Sequence, residues 1–120
     1  MSIQRFTGLP LFSSMVIHNK TAYLAGIVPQ DCSPDIKVQV LDVLQRIEQI
    51  LAQAKLGKKD LLRVEIWLKH IERDFAAMNE VWLEWVDTEH LPVRVTSEAN
   101  LAHPDIWVEV MVTAAADQLS

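Results

Sequence analysis

From Leu62 to Lys69 apolar and polar side chains alternate without a break. Leu62, Val64, Ile66 and Leu68 take one side; Arg63, Glu65, Trp67 and Lys69 take the other. A period of two marks a half-buried strand. The stretch from Ile106 to Thr113 repeats it, with Ile106, Val108, Val110 and Val112 on one face and Trp107, Glu109, Met111 and Thr113 on the other. Between residues 33 and 57 the period changes. Val40, Val43, Leu44, Ile47, Ile50, Leu51 and Ala54 recur at steps of three and four, which winds them onto one face of an α-helix. Ser33-Pro34-Asp35 supplies a capping hydroxyl, a proline for the first helical position and an acid for the first turn, and Gly57 supplies the stop. These signals predict an amphipathic helix of about 20 residues. A second helix is predicted from an Asp74 cap, with Phe75, Met78, Trp82 and Trp85 at helical spacing and the tryptophans serving as core material.

The remaining segments read as strands and turns. Ile3 to Thr7 forms a short first strand ended by Gly8 and Pro10. Met15 to His18 and Thr21 to Ile27 flank Asn19-Lys20, a tight hairpin turn because asparagine tolerates positive φ. Gly26 either weakens the end of that strand or permits a close approach to its backbone, and Pro29 closes it. Pro92 leads extended backbone into a strand that carries Arg94. Strand, helix and strand in succession imply a right-handed crossover to a parallel neighbour. The predicted architecture is α+β: a two-layer sandwich with two helices on one face of an antiparallel or mixed sheet. The uncovered face carries Trp67, Trp107 and Met111. A sheet face that apolar calls for a second subunit, which places Glu109 at or near a subunit junction.

Composition narrows the classes of function. At 120 residues the chain is one domain, spanning 1–120. Half of its residues are apolar, which again points to surface buried against a partner copy. A net charge of −5 argues against a broad nucleic-acid surface, since phosphates demand clustered Lys and Arg. The single cysteine, Cys32, has no partner for an internal disulfide and fits a reducing compartment. No signal peptide or membrane span is read, so the expected location is the cytoplasm.

Few residues invite chemistry. His18, His70, His90 and His103 are scattered, without the HxH or HExxH spacing of a metal site. Ser13 and Ser14 have no GxSxG elbow around them, and three glycines cannot build a phosphate loop. Arg94 and Glu109 remain, read as standing on neighbouring strands. A guanidinium fork can hold a ligand carboxylate through two parallel hydrogen bonds, and a carboxylate can take a proton from water. The plain alternative is that the two charges only pair with each other across a subunit contact.

The segments PLFSSMVIHNKTAYLAGIVPQD, FAAMNEVWLEWV and above all PVRVTSEANLAHPDIWVEVMVTA resemble the YjgF/RidA family of reactive-intermediate deaminases, most closely its YoaB-like members. The likeness runs over nearly the whole chain, and Arg94 and Glu109 stand fifteen positions apart, as in the family motif. The resemblance implies a chorismate-mutase-like fold forming a homotrimer, with sites in the clefts between subunits. It implies hydrolysis of enamines and imines of amino acids to 2-keto acids and ammonia, with neither metal nor organic cofactor. By the same resemblance Arg94 binds the substrate carboxylate, Glu109 positions or activates the attacking water, Asn79 lies near the site, and the backbone of Thr96 lines the pocket.

Two positions depart from the family pattern. Phe12 stands where well-characterised members carry a tyrosine before the serine, and Ala25 replaces a serine ahead of Gly26. Each missing hydrogen bond costs on the order of 1 kcal/mol, and more where it acts on a transition state. These losses keep a second reading open, a trimeric binder or sensor of small carboxylates or keto acids without turnover. A third, endoribonuclease activity, is the weakest on an acidic chain with no His/Lys cluster.

Overall fold

Asn19 and Lys20 both take left-handed backbone, with φ of 53° and 61°, the geometry of a two-residue hairpin whose twist matches its strands. The turn joins β2 (Met15–His18) to β3 (Thr21–Leu24) in antiparallel register, Met15 opposite Leu24 and His18 opposite Thr21. The short β1 (Gln4–Phe6) runs antiparallel along the other side of β2. The strand expected over 21–27 breaks after Leu24. Ile27 alone returns to the sheet, exchanging hydrogen bonds with Val110 at 2.8 and 3.0 Å. The computed structural model describes residues 2–117.

Helix α1 (Ile36–Ala52) is capped by Asp35, whose carboxylate accepts from the backbone N–H groups of Lys37 and Val38 at 3.0 and 3.4 Å. Ser33, the expected cap, spends its hydroxyl on Asp31 instead, at 2.5 Å. The helix also stops short of Gly57. Lys55 makes the left-handed turn, φ 60°, and the Leu56 N–H reaches back to the Leu51 carbonyl at 3.0 Å. Helix α2 starts ahead of its expected cap. It spans Ile71–Trp85, and its first N–H is satisfied by Glu98 from a later strand, at 3.0 Å. Asp74 is buried in the first turn, gripped by the Arg73 fork through two 2.9 Å bonds. Met78 and Trp85 enter the core, whereas Phe75, expected there, is exposed.

Strands β4 (Leu61–Leu68), β5 (Val93–Glu98) and β6 (Val108–Ala115) complete a sheet ordered β1-β2-β3-β6-β4-β5. Only β4 and β5 pair in parallel, so the sheet is mixed and the fold is α+β. β6 inserts between β3 and β4, so the crossover through α1 lands one strand beyond the expected neighbour. Its Val108, Val110, Val112 and Ala114 are all buried, and the strand with such a face takes the centre of the sheet. A β-bulge between Leu61 and Arg63 turns Leu62 outward and sends Leu61 into the core in its place. Beyond the bulge the alternation holds, with Val64, Ile66 and Leu68 buried.

Val43, Leu44, Ile47 and Leu51 of α1 pack onto Val64, Leu68, Val108 and Val110 of the sheet in one core. Each fully buried aliphatic side chain contributes about 1.5–3 kcal/mol. Gln39 lies among them without cost, because every arm is used. Its amide nitrogen donates to the carbonyls of Ser33 and Asp105 at 3.0 and 2.9 Å, and its oxygen accepts from the Trp107 N–H at 2.9 Å. This clamp ties α1 to the chain two residues before Glu109. Among the described residues no helix is long and apolar enough to cross a membrane.

Candidate active site

Arg94 and Glu109 do not stand on neighbouring strands. β4 lies between them, and sheet parity sends them to opposite faces. In the parallel β4–β5 pair Arg94 lies opposite Val64 and Thr96 opposite Ile66. Val64 and Ile66 are buried beneath the helices, so Arg94 and Thr96 face the helix layer as well. Glu109 lies opposite Trp67, on the face without helices. Within one chain the two charges form no ion pair. Any pairing between them, as in the plain alternative, therefore runs across a subunit contact.

The arginine half is built on the edge strand. The Arg94 guanidinium stacks over Trp82 of α2, 5.4 Å from the ring centroid, a cation–π contact. Trp82 in turn packs against Trp85, centroids 5.7 Å apart. Trp85 is pinned to α1 by a 2.6 Å bond from its Nε1 to Glu48 and covered by Lys58 at 5.3 Å. The platform under Arg94 is thereby tied to both helices. Partial burial pulls the Arg94 pKa below that of a free guanidinium; arginine starts so high that it stays charged at neutral pH. Two residues along the same face, the Thr96 hydroxyl is buried without a hydrogen-bond partner. Asn79 is half-buried on α2, three residues before Trp82.

The glutamate half is a cleft of about 660 Å³ whose lining includes Arg5, Phe12, Tyr23, Ala25, Gly26 and Glu109. The chain around Gly26 is fixed on both sides: the Ala25 N–H donates to the Ser14 carbonyl at 2.9 Å, and Ile27 is bonded to Val110. Gly26 is there for space, since its φ is not positive. A Cβ on it would sit 3.2 Å from the carboxyl carbon of Glu109 and closer still to Oε2. The close approach read from the sequence is therefore made by Glu109. The Phe12 loop, also in the lining, folds tightly over Gly8, where a Cβ would come within 2.6 Å of the Phe12 carbonyl oxygen. Phe12 and Ala25 share the Glu109 cleft; Thr96 and Arg94 share the other face. Among the described residues no cluster of His, Cys, Asp and Glu is arranged to hold a metal.

Three contributors escaped the sequence reading. Trp82 was legible only as a core residue, because helical spacing does not say which side chain lies beneath an edge strand. Arg5 and Tyr23 enter the cleft through cross-strand register, which no local pattern encodes.

The family model described as Endoribonuclease L-PSP matches residues 3–116. The RutC family protein YoaB of Escherichia coli strain K12 is 37% identical over 115 residues, covering 96% of this chain and 99% of its own. A RutC family protein of Haemophilus ducreyi is 39% identical over 104 residues, 87% of this chain and 88% of the relative. Among solved structures, a YjgF family member from Neisseria meningitidis superposes with a TM-score of 0.91 at 36% identity, covering 96% of this chain and 95% of that one.

Proposed function

The chain belongs to the YjgF/RutC family, and from that premise we propose that it hydrolyses imines and enamines of amino acids to 2-keto acids and ammonium. The observation that carries this reading is the Arg94 fork, half-buried on its tryptophan platform with no hydrogen bond to any described residue. A guanidinium in that state has both parallel donors available for a substrate carboxylate. Glu109 lies too far round the sheet to meet the same substrate within one chain. A site that uses both therefore combines Arg94 of one chain with Glu109 of another.

The open sheet face supports this assembly. Val93 and Val95 of β5 stand 69% and 49% exposed there, with Trp67 and Met111 on the same face. An apolar face of that kind is covered by further copies of the chain, and we infer a homotrimer with one cleft at each junction. In that cleft Arg94 orients the substrate by its carboxylate. Glu109 takes a proton from a water whose oxygen bonds to the imine carbon, and the nitrogen keeps the C=N π pair and gains a proton to give a carbinolamine. Its hydroxyl then loses its proton and becomes the ketone oxygen as the C–N bond breaks. The nitrogen takes that proton, and ammonia leaves to be protonated in water. Asn79 and the Thr96 backbone line the arginine side, Phe12 and Ala25 the glutamate side. No step calls for a metal or organic cofactor. The test is release of keto acid and ammonium from freshly generated 2-iminopropionate or 2-iminobutyrate. Rates no faster than in buffer would sink the proposal.

Gly26→Ala gives a sharper check on the geometry. The added methyl meets the Glu109 carboxylate, and a displacement of about 1 Å at a reacting group costs on the order of 10²-fold in rate. The variant should melt close to the parent and lose kcat/KM by about that factor; parent-like turnover would show that the position of Glu109 does not matter. The second reading, a binder of keto acids without turnover, draws on the apolar wall that Phe12 and Ala25 give the cleft. Tight 2-ketobutyrate binding with no hydrolysis distinguishes it.

A further inference from the structure

Resting on the hydrolytic reading above, we propose that the site takes 2-imino acids bearing a second carboxylate, with Arg5 as the anchor for that distal group. The chain has five arginines. Three are spent inside the protein: Arg46 on the Val28 carbonyl, Arg63 on Glu65 and Arg73 on Asp74. The guanidinium groups of Arg5 and Arg94 make no hydrogen bond or ion pair with any described residue. One lies in each half of the divided site, Arg94 on the helix side of β5 and Arg5 in the Glu109 cleft.

Register explains how Arg5 comes to be there. β1 sets Arg5 opposite Val16, and β2 sets Val16 opposite Tyr23. The three side chains rise from one row on one face. Adjacent strands are about 4.8 Å apart, so the Arg5 and Tyr23 backbones stand about 10 Å apart with the short valine between them. The Tyr23 ring is half-exposed, and its hydroxyl has no hydrogen-bond partner among the described residues. Glu109 is the one carboxylate that lines this cleft, and it forms no ion pair with Arg5. A free guanidinium and a free phenol lining one cleft offer a carboxylate two parallel donors and a neutral one.

The direction of the substrate follows. With its first carboxylate on Arg94 of one chain and its imine carbon before Glu109 of the next, its side chain runs into the Glu109 cleft, where Arg5 waits. Phe12, Val16 and Ala25 give that cleft apolar lining. Four- and five-carbon imino diacids, 2-iminosuccinate and 2-iminoglutarate, carry the matching group; 2-iminopropionate does not. The reaction itself is unchanged: water bonds to C2, the C2–N bond breaks, ammonia leaves, and the distal carboxylate takes no part.

The experiment compares kcat/KM for 2-iminosuccinate and 2-iminopropionate, each generated in place from its amino acid by an amino acid oxidase, on the full chain and on Arg5→Ala. The expected result is a diacid-to-monoacid ratio above unity that falls about tenfold in Arg5→Ala, the loss of one charge-assisted contact, and that recovers in part in Arg5→Lys. A parent ratio below unity, or one that moves less than about twofold on substitution, overturns the inference while the hydrolytic reading stands. If neither imine is hydrolysed faster than in buffer, the hydrolytic reading fails, and calorimetry decides the anchor by itself. Oxaloacetate binding tighter than pyruvate binding, lost in Arg5→Ala, supports Arg5; equal binding of the two overturns it.

Discussion

Glu109→Gln is expected to keep the fold and to cut kcat for imine hydrolysis by about 10²–10⁴-fold, the usual worth of a positioned general base. The substitution is nearly isosteric. It leaves the carbonyl oxygen that can hold a water and removes the ability to take its proton. The Glu109 carboxylate makes no hydrogen bond to a described residue, and its half-exposed place opposite Trp67 contributes nothing to the buried core, so melting should stay within a few degrees of the parent. The Arg94 anchor is untouched, and KM should move far less than kcat. The measurement is steady-state keto acid release, corrected for spontaneous hydrolysis. A kcat within about threefold of the parent would assign Glu109 to packing and not to the proton.

Arg94→Ala is expected to fail in a different way, and the failure should be repairable by a partner. Two charge-assisted hydrogen bonds to a carboxylate are together worth about 3–4 kcal/mol, roughly 10²–10³-fold in kcat/KM. The fold loses only the cation–π contact with Trp82, about 0.5–1 kcal/mol. Co-expressing Arg94→Ala with Glu109→Gln then reports how the site is divided. Each inactive chain still carries the half that the other lacks. In a closed head-to-tail assembly with random mixing, about one site in four combines an intact arginine with an intact glutamate. The co-expressed pool should recover about that share of parent activity, while each variant alone stays near background. No recovery in a verified mixed oligomer would place both residues of a site on one chain, against the opposite faces they occupy here.

Local pattern carried the elements well. The hairpin at Asn19-Lys20, the apolar face of α1 and the parity of β6 are properties of a few adjacent residues, and steric preference or burial fixes them nearly independently of the rest. Caps were less legible because they depend on competition. Ser33 was a good cap until Asp31 took its hydroxyl, and Asp74 was a good cap until Glu98, 24 residues further along, satisfied the start of α2. The candidate pair, Arg94 and Glu109, was legible as two residue types and not as an arrangement. Two strands adjacent in sequence, β5 and β6, turned out to be separated in space by β4.

What the sequence by itself determined is the inventory: the α+β class, the buried stripes, a guanidinium and a carboxylate fifteen positions apart, and apolar side chains such as Trp67 and Met111 at the alternate strand positions. Each of these follows from side-chain chemistry and a local period. What only the tertiary structure decided is who faces whom. Strand order and parity set Arg94 and Glu109 on opposite faces, laid Trp82 beneath one, brought Gly26 against the other, and carried Arg5 into the glutamate cleft. The physical reason is that pairing between distant strands is selected by burial of the whole sheet at once. The strand that buried Val108, Val110, Val112 and Ala114 had to take the centre, and every relation across the site followed from that placement.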